Sequence, residues 1–454
     1  MKQCIILLTI VFYLNGFSQC YESVQIGNLH MVGLQTNGTL WAWGENTSGQ
    51  LGLGDNVSVS TPVQIGVETD WNEIAVGSGF NLAVKENGTL WAWGSNEFDQ
   101  LGTGLLDSEI TSPVQVGSDG DWHVIAAGNK HSVAIKSDGT LWAWGDNFFN
   151  QVGDGTSIGR NTPTLISSDT DWEFLSAGTD YTMAIKNGGE LWAWGRGLGG
   201  QLGNGETDLN TEVPTRIGTD DDWVEVKTGF GHTVALKSDG TVWSWGNNDF
   251  GQLGRAASQQ EELEITQIGQ DSDWQSLDCG GNSTLLLKED GTLWGCGQNS
   301  FGQLGNGSTM NSTFPVELSD LNEWTSITAG NFNGASVFNG QLYTWGSNIA
   351  GQIGNGTTIE QLVPTLINDC TLNTSENKNN LIKVFPNPSN GVFNIQLYDG
   401  VLHSLYVTDM LGNIVKTVID RKGQIDLSNF SRGSYILYIQ TSETNWSRQV
   451  LIKI

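Results

Sequence analysis

The chain has 454 residues, with 49 acidic against 20 basic side chains and a formal net charge of −29. So acidic a surface repels phosphate, which argues against nucleic acid as a partner, and it favours solubility over self-association. Charged residues are sparse while the 60 glycines and 19 tryptophans are many, and the length is ample for a large domain plus a small one.

The chain begins with a charged Lys2, an apolar run from Cys4 to Leu14, and the small-residue stretch Gly16-Phe17-Ser18. This predicts a secretory signal peptide over 1–18, too short to span a membrane. Gln19 precedes Cys20 where a lipoprotein cleavage box wants a small residue, so the mature chain is expected to start near Gln19 and to keep Cys20. No later segment reaches spanning length, and no transmembrane segment is expected.

From Tyr21 a single unit recurs, written most clearly at Gly88–Gly104 as GTLWAWGSNEFDQLGTG. Its WG glycine returns as Gly44, Gly94, Gly145, Gly195, Gly246, Gly297 and Gly346, at steps of 49 to 51 residues. A fixed period near fifty with short strands inside it predicts a propeller. In the unit Trp122–Ile166, WHVIAAG reads as a first strand and HSVAIKSDG as a second. An Asp-Gly or Asn-Gly turn, the strongest short hairpin signal, leads to a third strand, TLWAWG. A fourth begins at Pro163. Proline recurs there as Pro62, Pro113, Pro214, Pro315 and Pro364, with Ile265 once, which suits an outer edge strand that can spare a donor. Four strands in each of seven units predict an all-β, seven-bladed β-propeller over 19–370. First strands ending in small residues (Ala75, Ala126, Ala127, Ala177) fit crowding around an axis. Tryptophans at fixed repeat positions read as packing residues.

The GTLWAWG strand, the N-x-x-x-Q-L-G loop (Asn248–Gly254, Asn299–Gly305) and the A-A-G-x-x-H-S turn (Ala126–Ser132) resemble the repeat of the regulator of chromosome condensation family. The resemblance covers about Tyr21 to Asp369 and implies a seven-bladed propeller. The family's eukaryotic founder exchanges nucleotide on a small nuclear GTPase, partly through a wedge inserted in one blade. The constant spacing here leaves no room for that wedge. A secreted bacterial relative inhibits β-lactamase by gripping it with one propeller face, a setting closer to this chain. Fold alone does not carry function.

Cys20 abuts the start of the first unit and Cys370 follows the end of the seventh. A Cys20–Cys370 disulfide is therefore expected to close the ring in an oxidising compartment. Cys279 and Cys296 sit on strands two apart, beyond disulfide reach, and read as packing residues.

Two faces offer candidate sites. The turn after the first strand carries an aligned position held by His30, Phe80, His131, Tyr181, His232, Ser283 and Asn333. These predict a binding rim of aromatic and imidazole groups around the axis; the alternative is a repeat position that bonds its own turn. The histidines are too spread around the axis to share a zinc ion, so no metal is expected there. Phe98, Phe148, Phe149, Phe250 and Phe301 would extend the same face. The opposite face gathers acidic links: ETDW, SDGDW, SDTDW, TDDDW and DSDW. Their Asp-x-Asp spacing could serve Ca²⁺, yet none forms a complete calcium loop, and turn formation at a solvated edge explains them. No nucleophile–base arrangement is present, so neither an enzyme nor a cofactor is expected.

Residues 371–380 are polar and aperiodic and read as a linker. From Leu381 the repeat stops and the acid excess disappears. Short strands separated by turns predict a small β-sandwich domain over 381–454. Val384-Phe385-Pro386-Asn387-Pro388, Asp409-Met410-Leu411-Gly412, Ile425-Asp426-Leu427-Ser428, Gly433-Ser434-Tyr435 and the closing Leu451-Ile452-Lys453-Ile454 resemble the C-terminal sorting domain of the type IX secretion system. That resemblance implies export through the outer membrane by the type IX machinery, which would engage the tail, with Pro386, Asn387, Pro388, Gly412 and Gly433 as its sorting motif. The expectation is an exported propeller that binds an extracellular protein. A glycan-binding module is the alternative, and a guanine-nucleotide exchange factor ranks behind both.

Overall fold

Seven four-stranded antiparallel sheets follow one another along the N-terminal part of the chain, each ordered in space as in sequence. In this computed structural model the described residues are 21–367, apart from 208–209, 257–260 and 339, then 382–385, 390, 392–397, 404–408, 414–417, 424–440 and 446–453. The leader 1–18, the linker, Cys20, Cys370, Pro386, Asn387, Pro388 and Gly412 lie outside the described residues. The chain divides into two units, Met1–Thr371 and Leu372–Ile454.

The third blade shows the pattern: strands Trp122–Ala127, His131–Lys136, Leu141–Gly145 and Arg160–Ser167. The expected seven-bladed propeller is thus present, and the described residues contain no helix. Strands of one sheet alternate in direction, so first–second and third–fourth loops share one end of every blade. Second–third hairpins and the links to the next blade share the other. The hairpin glycine is required twice over. Gly139 has φ of 81°, and a Cβ there would come within 2.3 Å of the Thr170 carbonyl in the link to the next blade. All six repeat prolines fall in fourth strands, which are sheet edges.

The second tryptophan of each third strand carries the packing between blades. Trp43, Trp93, Trp144, Trp194, Trp245 and Trp345 are fully buried. Each indole Nε1 donates to a glutamine carbonyl in the preceding blade's loop, as Trp144 does to Gln100 (2.9 Å) and Trp194 to Gln151 (2.9 Å). The N-x-x-x-Q-L-G motif builds that acceptor. Asn147 Oδ1 takes the Val152 amide, Gln151 Oε1 takes the Phe149 amide, and Gly153 leaves room for the Trp194 ring, 2.7 Å from where a Cβ would stand. Blades one and seven meet in the same manner, with Trp43 donating to Gln352 (2.9 Å). Cys296 replaces this tryptophan in blade six; it and Cys279 are buried free thiols.

The first tryptophan of the third strand exposes one defect. In five blades its Nε1 donates to a threonine hydroxyl two residues earlier, as Trp142 does to Thr140 (3.0 Å), and that hydroxyl donates to the turn carboxylate or amide, as Thr140 does to Asp138 (2.6 Å). Blade four has Gly188 and Glu190 at those positions, and the Trp192 Nε1 is buried without a partner. Glu190 pairs instead with half-exposed Arg216 (2.9 Å), a contact of small value. Glu190→Thr is therefore expected to raise stability by about 1 kcal/mol by supplying the missing acceptor. Glu190→Val, equal in shape and lacking the oxygen, is the control. Equal melting temperatures for the two variants would refute the explanation.

In the C-terminal unit, Ile382–Phe385, Val392–Leu397 and Gln424–Asp426 form one sheet, and Ile414–Thr417, Ser404–Thr408, Gly433–Gln440 and Trp446–Lys453 form another. Phe393 and Ile425 of the first sheet pack with Val407, Tyr435 and Leu437 of the second, an arrangement compatible with the expected β-sandwich.

Candidate functional site

The aligned position after the first strand does not form an open rim. His30, Phe80, His131, Tyr181 and His232 are completely buried, and Asn333 is 1% exposed. The reason lies in the glycine three residues earlier. A Cβ on Gly128 would stand 2.4 Å from the His131 ring and 2.5 Å from the Gly178 carbonyl of the next blade, so each ring lies flat over a bare backbone and is covered by its neighbour.

The alternative expected from the sequence, a bond within its own turn, does not hold for the polar rings of blades one, three, four and five, which reach into the following blade. His30 Nε2 donates to Asn81 Oδ1 (2.9 Å), and Tyr181 Oη donates to the His232 carbonyl (2.6 Å). His131 Nε2 lies 3.0 Å from Thr182 Oγ1. That hydroxyl already donates to the Gln151 carbonyl (3.0 Å), so the imidazole must be the donor. His232 meets Thr284 in the same manner (3.2 Å). Each ring is thus the neutral Nε2–H form, and its buried Nδ1 has no partner. Protonation would bury an unpaired N–H. Burial accordingly pushes His30 and His232 down to about 4 and His131 down to about 3.

The acidic face has a partner that the sequence reading missed. In each of blades two to six the lysine ending the second strand lies between two tryptophan rings: Lys136 Nζ is 4.8 Å from the Trp122 centroid and 4.6 Å from that of Trp142. The link carboxylates close on the same ammonium, with Asp119 at 2.6 Å and Asp121 at 3.1 Å. Lys186, Lys237 and Lys288 repeat the arrangement with two aspartates each. Burial works against the charge of Lys136, yet its two aspartates hold it above the ordinary lysine value. The Asp-x-Asp spacing therefore grips a lysine. Among the described residues, no cluster of three or more His, Cys, Asp or Glu side chains could hold a metal ion.

Exposed apolar groups collect at the loop end of the blades. Val57, Leu106, Phe148, Ile158, Leu198, Met310, Ile349 and Ile359 all lie in third–fourth loops and are exposed, Leu106 to 97%. In blades one, two, three, six and seven the loop backbone is pinned from within. Asn46, Asn96, Asn147, Asn299 and Asn348 use their amide groups to pin the carbonyls of Val57, Asp107, Ile158, Met310 and Ile359 (2.9–3.2 Å). Backbone held inward at these points leaves the side chains facing solvent. Phe98 and Phe149 are overlaid by Lys130 (3.8 Å) and Arg196 (4.9 Å). Phe301 packs on Phe332 instead (5.2 Å).

A third feature is the axial channel, a cavity of about 320 Å³ lined by first strands of all seven blades. The expected small residues are there, Ala126, Ala127 and Ala177 among them, beside charged ones: Glu73, Lys227 and Asp278.

Residues 12–223 match the RCC1-like domain family. Regulator of chromosome condensation repeats match 223–252 and 274–303, and again 239–287, 290–336 and 339–384. Residues 383–453 match the secretion system C-terminal sorting domain. The chain is 26% identical over 308 residues to the ultraviolet-B receptor UVR8 of Arabidopsis thaliana, covering 66% of this chain and 70% of that protein. It is 32% identical over 297 residues to the human X-linked retinitis pigmentosa GTPase regulator, covering 62% of this chain and only 28% of that protein. Among solved structures, yeast RCC1 (Prp20), bound to Kap60, superposes with a TM-score of 0.67 at 23% identity over 78% of this chain and 87% of that one. Human WBSCR16 superposes with a TM-score of 0.65 at 20% identity over 73% and 94%; both likenesses are of fold. The chain is thus a seven-bladed propeller of RCC1 repeats followed by a secretion-system C-terminal sorting domain.

Proposed function

We propose that this chain is an exported protein-binding scaffold, delivered by the type IX machinery through its C-terminal domain, and that the loop crown is its contact surface. The sorting-domain match supports export to the cell surface or the medium. One observation carries the binding role: third–fourth loops stiffened by buried asparagines present varied, exposed apolar side chains at one end of an acidic molecule. Interfaces draw most of their energy from a few such anchors on a preorganised frame. The buried His30, Phe80, His131, Tyr181, His232 and Asn333 support the frame from behind.

The test uses the full chain immobilised and exposed to proteins of the surrounding medium and neighbouring cell surfaces. Leu106→Asp, Phe148→Asp and Met310→Asp together are expected to abolish capture of the partner while leaving the melting temperature within a degree or two, since all three side chains face solvent. Undiminished capture by the triple variant would remove the crown from the interface. Saturable binding to a glycan array by the intact chain, with no protein captured, would replace the reading by the carbohydrate one. Removing 381–454 is expected to leave a folded propeller in the periplasm; normal surface amounts of the truncated chain would refute delivery by the tail.

A further inference from the structure

The channel wall is electrostatically lopsided. Blades five and six contribute a self-contained set. Lys227 Nζ lies 3.9 Å from Glu225, and both Asp278 and Glu225 hold the lysine charged against the cost of burial. Asp278 further accepts the amides of Ala329 (2.8 Å) and Cys279 (3.0 Å). Glu225 accepts that of Leu277 (3.4 Å).

Glu73 stands three blades from Glu225 around the ring. Its carboxylate accepts one long hydrogen bond, from the Ile125 amide at 3.3 Å, and among the described residues no cation pairs with it. The flanking wall is of small and apolar residues, Ala75, Val124 and Ala126. With Asp278 and Glu73 against Lys227 alone, the channel lining holds two carboxylates for one ammonium. A largely buried carboxylate with spare acceptor capacity, facing an open cavity of about 320 Å³, is costly unless a counter-charge arrives.

We propose that the axial channel is a binding site for an ammonium or guanidinium group, which enters beside Glu73 and completes the ion pair that this carboxylate lacks. The group can belong to a free small amine or to a lysine or arginine side chain of a bound protein. The channel reaches the first–second loops at the crown's end of the blades, but none of the crown's exposed apolar side chains in third–fourth loops lines it, so the site is tested independently of the crown. Burial pushes Glu73 up to about 7, so an arriving cation displaces a proton from it. Lys227 and Asp278 are the other charged groups lining the channel, and Lys227 is already engaged by Asp278 and Glu225.

The experiment is calorimetric titration of the full chain at neutral pH with methylammonium and, separately, with a short peptide carrying one lysine. Two buffers of different ionisation enthalpy report the protons released. Saturable binding of at least one probe is expected, with release of about half a proton per cation. Glu73→Gln, nearly isosteric, should weaken it about tenfold to a hundredfold and abolish the proton release. Lys227→Met, which removes the resident cation, should tighten it. Binding of methylammonium identifies a free-cation site, and binding of the peptide alone identifies a site for a partner's side chain. Absence of saturable heat with both probes, undiminished binding by Glu73→Gln, or unchanged binding by Lys227→Met would each overturn the proposal.

Discussion

Tyr181→Ala is expected to cost about 3–5 kcal/mol of folding stability, because it empties a fully buried ring site and removes one of the two hydrogen bonds to the His232 carbonyl. Partner capture per folded molecule should stay unchanged, since the side chain reaches no surface. His131→Ala behaves likewise on a smaller scale. His131→Phe should recover most of the loss, as Phe80 fills the equivalent site in blade two with the same flat contact over its glycine. Loss of capture by a fully folded Tyr181 variant would restore the rim reading.

The histidines also set a pH dependence whose sign is fixed by burial. In the unfolded chain an imidazole takes up its proton near 6.5, whereas folded His30 and His232 wait until about 4 and His131 until about 3. The unfolded state therefore binds more protons as the pH falls below 6.5. Stability from these rings is complete above that value and drains away toward their folded values. Glu73, Glu225 and Asp278 act in the opposite sense, because burial raises them and the folded state takes up protons first. The diagnostic quantity is the difference between wild type and His131→Phe. Melting temperatures should converge as the pH falls from neutral through this window, and parallel profiles would show that His131 titrates normally.

The second large effect concerns the seam between blades one and seven. Six junctions of the ring have a covalent link between blades; the seventh has none, since each of these two sheets takes all four strands from its own segment. The seam is packed nonetheless. Thr328 Oγ1 donates to the Val24 carbonyl (2.8 Å), Asn331 Nδ2 donates to Asn28 Oδ1 (2.9 Å), and Tyr21, Met31 and Trp43 share a cluster with Ala335, Leu342 and Ile367. Tyr21 follows Cys20 directly, and Ile367 precedes Cys370 by three residues, so the described neighbours of both cysteines meet in one cluster. We propose that a Cys20–Cys370 disulfide locks this seam. A loop of about 350 residues gives an upper figure of about 4–5 kcal/mol by chain-entropy arguments. Cys20→Ser and Cys370→Ser should lower the melting temperature equally, and the double variant should be no worse than either. Additive losses, or two free thiols found by mass spectrometry of the oxidised protein, would leave the seam to packing alone.

Blade number, strand order and the edge prolines were legible in the sequence because each depends on local signals. Period-two alternation, a positive-φ glycine and a missing donor act within a few residues, and the repeat states them seven times over. The fate of the side chains facing the next blade was not legible. His131 and Tyr181 read as amphipathic rim groups until blades four and five, about fifty residues on, cover them and supply Thr182 and the His232 carbonyl. The Asp-x-Asp links read as solvated turns until the second strand of the same blade places Lys136 and its equivalents between two indoles. Glu73 looks like any strand carboxylate in a list of first strands. Only closure of the ring surrounds it with small apolar walls and leaves it without a counter-charge. Sequence alone determined the architecture of each blade; the tertiary structure decided which polar groups face water, because burial and pairing arise between blades that the chain itself keeps far apart.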